Sequence, residues 1–278
     1  MNDNDTARLF PALRGTQQRG SKPRCHLLTH GTREEVALRL TTLISPWGSV
    51  AASDRWMPSG FASISEAQLH GAAEILPDAG VRDSLLSWWL AVRGNAKTTT
   101  PNWDVASTCT VGDAPGIILI EAKAHDAELR NEERGKPLIG EENRGVSFAS
   151  RRNHVRIGAS IQEAGIALAA YTGLPWALSR DWNYQMSNRF AWAFKVAELG
   201  IPVILIYLAF TGCEEMRQGK TAQRPIVDSD DWRDLVLGHS RSLFPAEVWN
   251  HEWRIKGASL IPLIKTYDQA LCSVPSFP

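Results

Sequence analysis

Gly116-Ile117-Ile118-Leu119-Ile120-Glu121-Ala122-Lys123 is an apolar run that ends in two charged residues. Side chains of a strand alternate with a period of two, so Glu121 and Lys123 share one face and Ala122 takes the other. The run from Val105 to Val111 precedes it, and Gly112-Asp113-Ala114-Pro115-Gly116 lies between them. Two such runs around turn residues predict a β-hairpin. Pro101-Asn102-Trp103-Asp104 enters that hairpin, with sixteen residues between Asp104 and Glu121. Burying a carboxylate and an ammonium is costly unless each finds a partner. Two acids and a lysine gathered at one sheet edge therefore read as a site.

Outward from the hairpin, helical patterns are expected over 32–44, 63–76, 81–92, 154–172, 181–199 and 229–237. Further strands are expected over 201–210 and 258–264. Ser63, with Glu66 three positions on, looks like a capping box for the second helix. Residues 124–153 are highly charged and carry Gly135, Pro137, Gly140 and Gly145, so they read as a long loop. Strand, two helices and a strand in succession predict an α/β fold, a central mixed β-sheet flanked by helices on both faces, with an N-terminal helical extension. Residues 31–278 read as one α/β domain. Residues 1–30 read as a basic arm, because Arg8, Arg14, Arg19, Lys22 and Arg24 run without an acid between them. A solvated tail and a nucleic-acid arm are both open there.

The chain has 278 residues, 44% of them hydrophobic and 22% charged, which is enough for a large core. Its formal net charge is zero, so any nucleic-acid partner must be held by a local patch rather than by the field of the whole protein. Cys25, Cys109, Cys213 and Cys272 are far apart, which excludes a zinc-ligand spacing and fits free thiols in a reducing cytoplasm. The longest apolar run, Ile201 to Phe210, is about half of the roughly 20 residues that a membrane span needs.

Two carboxylates and a lysine suit metal-assisted hydrolysis of a phosphodiester. Mg²⁺ prefers oxygen ligands, and Asp104, Glu121 and the backbone carbonyl of Ala122 could supply them. Lys123 could orient the attacking water and stabilise developing negative charge. Glu66 is either an extra ligand or a helix cap. Gln185, Asn188 and Arg189 share one helix face, and Arg151, Arg152, His154 and Arg156 open the preceding helix. Arg151, Arg152, Arg156, Asn188 and Arg189 are the candidates for contacting nucleic acid, each set having a plain solvated helix face as its alternative.

Pro101-Asn102-Trp103-Asp104 followed by Glu121-Ala122-Lys123 at the end of an apolar strand resembles the PD-(D/E)xK nuclease superfamily. The resemblance is direct over 100–123 and looser over 154–210. It implies a restriction-endonuclease-like core and a nuclease that uses Mg²⁺, or Mn²⁺ in its place, with DNA more than RNA as substrate. It implies catalytic roles for Asp104, Glu121 and Lys123, and a site-facing polar residue on a helix, here Gln185. A homodimer or a protein partner is compatible with it. The Pro-Asp pair is interrupted by Asn102 and Trp103, and no stretch between 78 and 100 reads as the first strand of the expected trio. The alternative is a nuclease-fold module that binds nucleic acid or a protein without cutting.

Other motifs carry less. Gly219-Lys220-Thr221 lacks the upstream glycine of a P-loop. Asp228, Asp230 and Asp231 at a helix start read as a cap rather than a cation site.

Overall fold

The computed structural model describes residues 13, 19–94, 100–133, 135, 147–217 and 222–271. Among them, seven strands build one mixed sheet: β1 (Gly48–Ser49), β2 (Trp56–Met57), β3 (Val105–Val111), β4 (Ala114–Lys123), β5 (Val203–Thr211), β6 (Trp253–Ile255) and β7 (Ala258–Asp268). The order is β1-β3-β4-β5-β7-β6, with β2 also paired to β3. The β3–β4 pair is antiparallel, whereas β4–β5 and β5–β7 are parallel. Parallel neighbours need crossovers, and helices supply them. α4 (Asp126–Glu132), α5 (Phe148–Thr172) and α6 (Tyr184–Glu198) link β4 to β5, and α7 (Ser229–Ser240) follows β5. α1 (Ser21–Leu28), α2 (Arg33–Ile44) and α3 (Ala79–Trp89) precede the hairpin.

The period of two divides the core into two layers. Ile117 and Leu119 of β4 and Val203, Leu205 and Tyr207 of β5 face one side, packed against Trp89, Ile161, Phe190, Trp192 and Trp232 of α3, α5, α6 and α7. Ile118, Ile120 and Ala122 of β4 and Ile204, Ile206 and Leu208 of β5 face the other, packed against Leu28, Val36 and Leu40 of α1 and α2. The fold is thus α/β with helices on both faces, as the sequence leads one to expect. None of the described helices is long and apolar enough to cross a membrane.

The hairpin is tighter than its sequence suggests. Val111 pairs with Ala114, so the turn is Gly112-Asp113 alone. Gly112 sits at φ 58°, which a glycine at the first turn position of a two-residue hairpin adopts without steric cost. Asp228 accepts from the backbone N–H groups of Asp230 and Asp231, so the acids at the start of α7 are the expected cap.

Several expectations are corrected. Residues 63–76 form no helix. Ser63 bridges Ser59, Ala67 bridges Trp103, and the rest is a series of turns. Of the apolar stripe Leu69, Ala72, Ala73 and Leu76 that suggests a helix there, all but the exposed Ala73 are buried in the core, so the spacing reports burial rather than helical period. Gly71 and the bridging demands of Trp103 override a weak local propensity. The loop expected over 124–153 contains α4 and the start of α5, while 134 and 136–146 lie outside the described residues. No described residue between 78 and 100 lies in a strand, and β3 is paired on its far side by the two-residue strands β1 and β2, which come earlier in the chain. The basic arm begins to pack before residue 30. Arg24 is wholly buried, with Nη1 at 2.7 Å and Nη2 at 2.9 Å from the two carboxylate oxygens of Glu215, and Nε donating to the carbonyl of Gln269. That guanidinium is spent on a structural clamp and reaches no phosphate. Arg8 and Arg14 lie outside the described residues.

Trp192 on α6 meets Trp88 and Trp89 of α3 edge-on, with centroids 6.4 and 5.6 Å away. Trp192→Ala is expected to cost about 3–5 kcal/mol, read by urea unfolding; a loss under about 1 kcal/mol would show that α3 and α6 are not held together there.

Candidate functional site

The site stands at the C-terminal end of β4, where three elements meet. The register that pairs Val105 with Ile120 sets Asp104, one residue before β3, beside Glu121. Asp104 Oδ2 accepts from the backbone N–H of Ala122 at 2.8 Å, which ties the acid to the outgoing strand. Glu121 and Lys123 project from β4 to the helix layer of α5 and α6, as the strand period requires. α6 runs across that layer and brings Gln185 and Arg189, one turn apart, over the carboxylate.

Glu121 is the centre of the arrangement and is only 2% exposed. Its Oε1 accepts from Lys123 Nζ and from Gln185 Nε2. Its Oε2 accepts from Arg189 Nε at 2.6 Å. The guanidinium of Arg189 lies over the ring of Trp103, 4.7 Å from its centroid, and Nη1 donates to Asn188 Oδ1 at 3.1 Å. Each buried charge therefore has an opposite charge and hydrogen bonds, the condition under which burial is tolerated.

The electrostatics separate the two acids. Burial alone would raise the pKa of Glu121, but the charges of Arg189 and Lys123 and their hydrogen bonds outweigh it and hold the carboxyl below its usual range. Asp104 goes the other way. Burial and the neighbouring charge of Glu121 push it up to about 7, against the opposing pull of Lys123, the Ala122 N–H and Arg189. Arg189 is held charged, since Glu121 more than offsets its desolvation. The Cys25 thiol of α1 is raised by burial and then by Asp104, Glu128, Glu121 and Glu66, which places the supposed arm against the acidic side of the site.

Asp104, Glu121, Lys123 and Gln185 are thus brought together. Asn188 and Arg189 are corrected from nucleic-acid contacts to buried parts of the site: both are about 5% exposed, and the charge of Arg189 is committed to Glu121. Glu66 caps no helix. Its oxygens accept from Lys22 Nζ at 2.8 Å and Asn102 Nδ2 at 3.1 Å. Among the described residues, no group of three or more His, Cys, Asp or Glu is set to hold a metal ion. Arg151 and Arg152 are exposed at the start of α5, whereas Arg156 donates from Nε to the carbonyl of Trp88 at 2.8 Å. Trp103 went unread in the sequence as anything but an interruption of the Pro-Asp pair; it is the ledge beneath Arg189. A large aromatic directly before an acid at a strand entrance was the available signal.

Comparison with protein-family models, curated proteins and solved structures returned no match.

In metal-free buffer, Asp104 makes stability depend on pH with a definite sign. The native state keeps the Asp104 proton where the unfolded chain has lost it, so this contribution is full below about pH 4 and is lost as pH climbs through about 7. Asp104→Asn keeps an acceptor for Ala122 and removes the titration. Relative to it, the parent chain is expected to lose on the order of 2 kcal/mol between those limits, screening at the solvent-facing edge of Asp104 included. Parallel pH–stability curves would contradict the assignment.

Proposed function

We propose that this chain is a metal-dependent phosphodiesterase acting on nucleic acid, DNA more than RNA, in the manner of the PD-(D/E)xK nucleases it resembles. The observation that carries the reading is the convergence of Asp104, Glu121 and Lys123 at one strand end, with Asp104 fastened to Ala122 at 2.8 Å. These residues fit a hard divalent cation such as Mg²⁺ or Mn²⁺. The donors are all oxygen: the two carboxylates and the carbonyl of Ala122. Mg²⁺ keeps several waters and takes one or two protein carboxylates, so a larger ligand cluster is not required. The pKa of Asp104 is raised by its burial first and by the neighbouring Glu121 charge second.

When bound, the ion supplies Lewis acidity toward a phosphoryl oxygen and the attacking water. The chain's own groups supply the rest. Glu121 pairs with Lys123 and fixes where its charge sits. Lys123 then offers a positioned donor to the attacking water and to negative charge developing on the phosphate. Gln185 clamps the Glu121 oxygen that Lys123 also uses and keeps the carboxylate from rotating. The exposed Arg151 and Arg152 on α5 are the chain's candidates for phosphate contacts outside the centre.

The competing reading, a nuclease-fold module that binds without cutting, draws on one observation: Glu121 already pairs with two cations. Incubation with single-stranded DNA, double-stranded DNA and RNA, with Mg²⁺ or with chelator, separates the two. Metal-dependent products are expected, and Lys123→Gln should slow their formation by on the order of 10²-fold or more while the chain stays folded. Salt-sensitive binding without any metal-dependent product, or full activity in Lys123→Gln, contradicts the proposal.

A further inference from the structure

We infer that Arg189 occupies on Glu121 the charge position that a divalent ion would take, so that ion binding and the Arg189–Glu121 pair compete. The inference rests on the proposed metal site and adds a residue that regulates its loading. Both oxygens of Glu121 already accept, Oε1 from Lys123 and Gln185 and Oε2 from Arg189. With Asp104 ionised, two acids face two cations, and the cluster is neutral without any ion. A divalent ion added to that cluster would leave two uncompensated positive charges in a buried pocket, where like charges repel far more than in water. One resident cation must give way.

The geometry singles out which one. Lys123 projects from the same face of the same strand as Glu121, and in the proposed reaction its ammonium must stay at the centre as the donor to the attacking water. Arg189 reaches Glu121 from a different element, α6, through a long side chain. It also has supports that do not involve Glu121: the Trp103 face at 4.7 Å and Asn188 Oδ1 at 3.1 Å from Nη1. A guanidinium that releases Glu121 keeps a cation–π contact and a hydrogen bond, which lowers the cost of letting go. Arg189 is therefore the exchangeable cation. Under that competition, weakening the hold of Arg189 on Glu121 tightens ion binding by at most the factor lost from the pair.

A purely orienting role for Arg189 predicts the opposite sign, since removing it would leave Glu121 misaligned and weaken the ion. Calorimetric titration of the full chain with Mn²⁺ separates the two, using the parent, Arg189→Gln and Arg189→Lys. Competition predicts that Arg189→Gln binds Mn²⁺ about tenfold or more tightly than the parent. It also predicts that Mn²⁺ raises the melting temperature of this variant more than that of the parent. Arg189→Lys, a single-headed cation with shorter reach, should fall between them, and it carries the test if Arg189→Gln does not fold. Equal or weaker Mn²⁺ binding in the variants overturns the inference while leaving the metal site intact. Absence of Mn²⁺ binding in the parent and in every variant overturns the metal site and the inference together.

Discussion

A carboxylate 2% exposed to solvent, Glu121, is the constraint around which the rest of this structure is arranged. An ionised acid in that position demands positive partners, and the fold provides them from two elements: Lys123 from β4 itself and Arg189 from α6. Removing one partner of such a buried pair typically costs about 3–5 kcal/mol, because the remaining charge is stranded. The site is thus also a tie between the sheet and the helix layer. α6 cannot slide along the sheet without unseating Arg189 from both Glu121 and Trp103.

That dual role explains why the chemistry sits where it does. β4 is the strand at which the antiparallel hairpin gives way to the parallel part of the sheet, and the site stands at its C-terminal end. The hairpin delivers Asp104 to one side of Glu121, and the long crossover through α4, α5 and α6 delivers Gln185 and Arg189 to the other. Two acids that differ only in their neighbours end with opposite tendencies, Glu121 held ionised and Asp104 pushed up to about 7.

Much of this was legible in the sequence, for definite reasons. The hairpin and its site-bearing face follow from a period of two in an apolar run closed by Glu121 and Lys123. The i, i+4 spacing of Gln185 and Arg189 was enough to place them on one face, but not to say that the face is buried. That depends on which charge they meet across the fold, which local sequence does not encode. The false helix over 63–76 had apolar residues at helical spacing because they are buried, while bridges from Ser63 to Ser59 and from Ala67 to Trp103 hold the segment in turns. β1 and β2 were invisible because a two-residue strand has no period to read. Arg24 looked like part of a solvated basic run because Glu215, its partner, lies 191 residues away.

What binds between the two acids decides whether the cluster is a metal site. A crystal of the full chain soaked in Mn²⁺, with anomalous difference density recorded at the manganese edge, tests this most directly. The account predicts a peak between Asp104 and Glu121, within reach of the Ala122 carbonyl, with Arg189 drawn back from Glu121 toward Trp103. No peak at that position, with Arg189 still seated on Glu121, would contradict it and leave the cluster a buried ion-pair network that holds α6 to the sheet.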